Sequence, residues 1–189
     1  MRYLMMIVAL MLCTTASAQN AEKLYKEGKS LYDAKDYAKA IEKLMPAAEK
    51  GHKKAQYRLG LCYDKGKGVA EDDTQAVKWY AKAAAQGYAK AQYQLGKCYK
   101  DGEGIEKDRK KAFDLFMKAA KQDNADAQYQ IGKAYLKGKD LPLDEQKAKS
   151  WLKKAINNEK GGEDVLKEIR KDAAKGDADD QRILKLLNK

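Results

Sequence analysis

Ser30, Ser150 and His52 are the side chains from which a hydrolase could be assembled, since a serine nucleophile needs a histidine base within hydrogen-bond reach. They fall in different segments of the chain, and His52 is the sole histidine. Ser30 lies inside an amphipathic stripe, so no triad is implied. His52, between Gly51 and Lys53, reads as an exposed loop residue at a boundary between elements. Cys62 and Cys98, with that one distant histidine, cannot supply the four clustered ligands of a structural zinc site. The carboxylates read as helix caps or as partners of lysine at helical spacing. The sequence therefore points to binding rather than catalysis and implies no metal or cofactor. A cell-wall hydrolase acting on a lactam or on peptidoglycan is the enzymatic alternative.

The first segment concerns address. Met1-Arg2 precedes an apolar run of eleven residues, Tyr3 to Cys13, followed by Ala16-Ser17-Ala18 and then polar Gln19-Asn20. A charged start, a short apolar core and a small-x-small site are the marks of a signal peptide, residues 1–18. The run is well short of the roughly 20 residues that span a bilayer as a helix, so no stable membrane anchor is expected. Cys13 follows Leu12, too large a neighbour for a lipidation site. Removing residues 1–18 takes one arginine and no acid from the net charge of +11, leaving +10 on a periplasmic or secreted protein. Such a charge attracts anions, and nucleic acid is the first that comes to mind. Export and the even spread of lysines argue against it.

The positioning elements are repeated. Ala55-Gln56-Tyr57-Arg58-Leu59-Gly60 returns 36 residues later at Ala91 to Gly96, and again at Ala127 to Gly132. Tyr63, Tyr99 and Tyr135 keep the register, as do Asp36, Asp72, Asp108 and Asp144. Each unit reads as two helices. In the first, Gly60 leaves room for a close helix approach, and Gly66 and Gly68 permit the positive φ that ends it. Asp72 is placed to cap the second helix, whose Ala76, Trp79, Tyr80, Ala83 and Ala84 share one face. Cys62 and Cys98 occupy one repeat position. Matching points on successive hairpins lie about 8–10 Å apart, beyond the reach of a disulfide, so two buried thiols are expected.

The pattern Ala-Gln-Tyr-x-Leu-Gly-x-Cys-Tyr-x-x-Gly-x-Gly-Val, with a following Asp and Ala-x-x-Trp-Tyr-x-x-Ala-Ala, resembles the Sel-one-like repeat, a relative of the tetratricopeptide repeat. The resemblance covers roughly residues 21–160. It implies an all-α solenoid, a right-handed superhelix of four helical hairpins with a C-terminal helical cap. The first helices of the hairpins would line a concave, partner-binding face. The expected order is a tetratricopeptide-like N-terminal hairpin (19–52), repeats at 53–88, 89–124 and 125–160, and capping helices at 161–189. In the fourth unit the second loop glycine becomes Asp140, which tolerates left-handed backbone. Some exported relatives carry paired cysteines within each hairpin and have been linked to penicillin binding or hydrolysis. This chain has at most one cysteine per unit, so that activity is not carried over.

Residues off the packing stripe of the first helices are the candidates for that face. They are Tyr25 and then Lys54, Tyr57, Asp64 and Lys65. One period on come Lys90, Tyr93, Lys97 and Lys100, followed by Tyr129, Lys133 and the neighbouring Leu136. Tyrosine offers contact area with a polar tip, and lysine would pair with acidic groups. The alternative is that the tyrosines pack within the repeat. The expectation is an exported scaffold that holds a protein or peptide, preferably acidic. A purely structural component of an envelope complex is the remaining alternative.

Overall fold

The computed structural model describes residues 2–139 and 141–188, with side chains from Ser17 onward. Cys13 and Asp140 therefore fall outside the described side chains. Every described element is an α-helix, and the chain divides into two compact units, Met1–Ala91 and Gln92–Lys189.

The first unit holds α1 (Arg2–Asp33), α2 (Tyr37–Glu49), α3 (Lys53–Asp64) and α4 (Asp73–Ala85). Among the described residues no helix is long and apolar enough to cross a membrane. The helices pack in sequence, α1 on α2, α2 on α3 and α3 on α4, as antiparallel hairpins must when joined by short turns. Leu44, Ala47, Ala48, Ala55 and Leu59 are fully or almost fully buried between them, with Tyr25 and Trp79 at the margins.

The second unit contains α6 (Arg109–Ala120), α7 (Ala125–Lys137), α8 (Glu145–Ile156), α9 (Gly162–Ala174) and α10 (Ala178–Leu187), together with most of α5 (Ala89–Asp101). Its largest cluster is formed by Leu136, Leu152, Val165, Ile169 and Ile183, so α9 and α10 cover an apolar face of α7 and α8 that would otherwise meet water.

Local chemistry sets these boundaries. Asp72, Asp108 and Asp144 have extended backbone and accept a hydrogen bond from the amide three residues on, each at 2.9 Å. Asp36 caps α2 by accepting from the Lys39 amide at 3.4 Å. The turn after α3 uses Gly66 at φ +57° and Gly68 at φ +75°, a backbone that L side chains rarely adopt. Gly96 and Gly132 stand where a Cβ would come within 2.7 Å of Phe116 and 2.6 Å of Leu152, and Gly60 faces the Tyr80 ring in the same way. The repeat glycines are thus the contact points of each hairpin. Cys62 and Cys98 are both buried thiols outside any disulfide.

A second repeated feature is polar. The buried Gln56 donates to the Ala48 carbonyl at 3.0 Å and accepts from Gln86 at 2.7 Å. Gln128 donates to the Ala120 carbonyl at 3.3 Å and accepts from Asn158 at 3.2 Å. Gln122 likewise donates to Gln92, at 2.8 Å. Gln56 and Gln128 thus bond a carbonyl in the last turn of the preceding helix, and all three glutamines accept from a residue 30 positions on, which ties the start of a hairpin to its finish.

Candidate functional site

The candidate face separates into residues held inside the protein and residues left on its surface. Tyr25 is 8 % exposed and stacks on His52 with ring centroids 4.3 Å apart. Tyr129, also 8 % exposed, donates to Asp180 Oδ1 at 2.5 Å. Burial, followed by that hydrogen bond, pushes the Tyr129 hydroxyl pKa up from its ordinary value. Both rings are engaged within the fold, as is Leu136, which is buried in the α7–α8 core. Tyr57 is half-buried against Tyr80 and Tyr88, and Tyr93 against Phe116. Asp64 accepts from the Tyr80 hydroxyl at 3.0 Å and pairs with Lys65. Lys54, Lys65 and Lys90 are exposed, and Lys97 is half-exposed.

His52 is not the exposed loop residue expected from its neighbours. It is the N-cap of α3, where Nδ1 accepts from the Ala55 amide at 3.2 Å while Nε2 meets Glu22 at 2.9 Å. The ring therefore carries its hydrogen on Nε2, the tautomer that leaves Nδ1 free to accept. That bond is the largest influence holding the Glu22 carboxyl below its ordinary pKa.

Lys100 and Lys133 are brought together in a cavity of about 360 Å³ in the second unit. It opens among the end of α5, the start of α6 and the outer side of α7. Phe113 and Phe116 line it together with Ala112 and Ala134, and Leu141 is contributed by the loop after α7. Around this apolar floor stand Lys107, Arg109, Lys137 and Lys139, so the described lining residues number six cations against the single carboxylate of Asp101. Two cations are balanced from behind: Lys133 pairs with Asp180 at 3.1 Å, and Lys137 with Asp179. Lys100 reaches Asp101 at 3.7 Å. Lys107 and Lys139 leave the mouth positive, and a cleft with one sign of charge over apolar walls concentrates the field seen by an approaching anion. Its volume lies in the range of ligand pockets, about 300–1,000 Å³.

Lys107, Arg109, Phe113 and Phe116 were not singled out from sequence, because they are not repeated. The signal that marks them is divergence from the repeat. Glu71 becomes Lys107 one period on, Asp73 becomes Arg109, and Val77 becomes Phe113.

Hairpins with glycine contact points, aspartate caps and a covered terminal face define an α-solenoid repeat protein. A family model for the Sel1 repeat matches residues 53–88, 89–124 and 125–159, more than half of the chain. The chain belongs to the Sel1 repeat family, whose fold is a scaffold that mediates protein–protein interaction. It is similar to a Sel1 repeat protein from Oxalobacter formigenes, at 35 % identity and TM-score 0.70, over 76 % of this chain and 56 % of that one. It is also similar to a protective antigen of uropathogenic Escherichia coli with the same repeat fold, at 34 % identity and TM-score 0.71, over 79 % of this chain and 33 % of that one. The chain thus spans about half and one third of those two proteins. A protein from Klebsiella pneumoniae shares the fold over 92 % of this chain and 98 % of its own, at 19 % identity and TM-score 0.58. No curated protein is significantly similar in sequence.

Proposed function

We propose that this protein is an exported scaffold that holds an acidic protein or peptide on the faces presented by its first helices. The observation that carries the reading is a cationic surface on a family fold built for protein contact. Lys54, Lys65 and Lys90 are exposed on or beside first helices of a chain with net charge +11. Repeat hairpins offer such a surface preformed, so little ordering entropy opposes binding. Export is supported by the charged start, short apolar run and Ala16-Ser17-Ala18 site, and the mature protein in this reading begins at Gln19.

The test is capture from an envelope extract by the tagged protein and by a Lys54→Glu, Lys90→Glu, Lys97→Glu variant of unchanged helicity. A protein of acidic surface retained by the former and lost by the latter supports the reading. Identical capture by both overturns the assignment of the face. The intact mass of the protein recovered from the envelope checks the start at Gln19.

A further inference from the structure

Three residues that line the cavity of the second unit, Lys107, Arg109 and Phe113, are ones the repeat does not require. At the position of Lys107 the neighbouring units carry Glu71 and Leu143, and at that of Arg109 they carry Asp73 and Glu145. Phe113 replaces Val77 and is followed one period later by Lys149. Packing is satisfied by those other residues, so packing does not account for these. The cations also oppose a local rule. The N-terminal end of a helix favours acids, and α4 and α8 each carry one in the first turn. Helix α6 carries none and opens on Arg109-Lys110-Lys111. Departures that act against local stability concentrate at functional sites.

We propose that this cavity receives a short acidic peptide segment, seating one of its apolar side chains on Phe113, which Phe116 backs, while the carboxylates flanking that side chain pair with Lys107 and Lys139. The proposal rests on the scaffold reading and names the partner chemistry at one place in it. Charge complementarity favours acidic flanks, because Lys107 and Lys139 form no ion pair with any described residue. The floor selects the central group. Phe113 is half-buried, with its edge set against Tyr135 at a centroid distance of 6.1 Å, and Phe116 is 4 % exposed. A small inorganic anion would leave this apolar wall wet, whereas one aromatic side chain would cover it. About 360 Å³ suits a single such group.

The experiment is a titration of the isotope-labelled full protein with the blocked peptide Asp-Glu-Phe-Glu-Asp, followed by amide chemical shifts. The same peptide with alanine for phenylalanine, and citrate, serve as the charge-only probes. Shifts gathered in residues 100–116 and 130–141 are expected. Affinity should be at least about tenfold weaker for the alanine peptide and for a Lys107→Glu, Lys139→Glu variant. Both lysines are exposed, so that variant keeps its fold, which circular dichroism verifies. Shifts scattered over other basic surfaces, equal affinity for the alanine peptide, or no binding would each overturn the proposal. An envelope partner whose capture depends on Lys54, Lys90 and Lys97 but is indifferent to the cavity variant would overturn it while leaving the scaffold reading standing. Failure of capture alongside cavity-specific peptide binding would do the reverse.

Discussion

The hydroxyl of Tyr129 donates to Oδ1 of Asp180 at 2.5 Å, and Lys133, one turn along α7, reaches Oδ2 of the same carboxylate at 3.1 Å. Asp180 is 1 % exposed, so a buried charge holds the last helix to the first helix of the preceding hairpin. Removing the carboxylate takes the partner from the half-buried Lys133 and the acceptor from the buried Tyr129 hydroxyl at once. Asp180→Ala should lower stability by about 3 kcal/mol in urea denaturation. Tyr129→Phe, which leaves the ion pair in place, should lose about half as much. Equal, small losses would show that the three groups are not energetically linked.

Cys62 reports on the interior through alkaline pH. Burial pushes its thiol from the ordinary 9.0 up to about 11. The unfolded thiol ionises from about pH 9 while the folded one stays protonated. Stability is therefore intact below pH 9 and falls as pH rises towards 11, by about 2–3 kcal/mol from this residue. Cys62→Ala should flatten the stability profile across that window, measured by urea midpoints at each pH. The native thiol should resist alkylation at pH 8.

The hairpin glycines should refuse alanine although helix propensity favours it by about 1 kcal/mol. A methyl at Gly132 would press on the Leu152 side chain at 2.6 Å and its backbone nitrogen at 3.2 Å. Gly132→Ala and Gly96→Ala should each destabilise by a net of about 1–3 kcal/mol. Thermal melts would detect this, and an unchanged or raised Tm would show that the hairpins can open slightly.

At the other end of the chain, His52 caps α3 through Nδ1. His52→Ala should cost about 1 kcal/mol, the usual loss for an N-cap acceptor. His52→Asn should recover most of it, since Asn124 caps α7 at the equivalent position by accepting from Ala127 at 2.8 Å. Hydrogen exchange at the Ala55 amide would separate the cap from the contact with Tyr25.

Much of the architecture was legible because repetition multiplies weak signals. Four aspartates one period apart identified four helix starts, and glycines in register identified the close approaches. What repetition hides is how one residue type fares beside different neighbours. Tyr25, Tyr57 and Tyr129 hold one sequence position, yet they meet a histidine, two further tyrosines and an aspartate respectively. The Gln56–Gln86 bond escaped notice because its second member lies 30 residues away, outside the conspicuous motif. His52 was misread because glycine and lysine neighbours suggest a loop, whereas the helix beginning at Lys53 needs an acceptor just before it. The cavity is not legible in the repeat pattern, because Lys107, Arg109 and Phe113 are residues in which the units differ.

The final helix has a bearing on how many hairpins this array could hold. Gln181 donates to the Ala173 carbonyl at 3.1 Å, as Gln56 does to Ala48, so α10 begins as a first helix would. Where the earlier units carry Ala55, Ala91 and Ala127, however, it carries Asp180. In polymer terms α10 is an end group rather than a monomer. Its carboxylate is matched to the Tyr129 hydroxyl, and a methyl there would leave that hydroxyl's proton without its acceptor. Copy number can therefore be altered by splicing whole periods upstream of Ala125, where alanine meets the same requirements each time, but not between α8 and α10. Lengthened or shortened versions built on that rule would keep their terminus and vary only in reach.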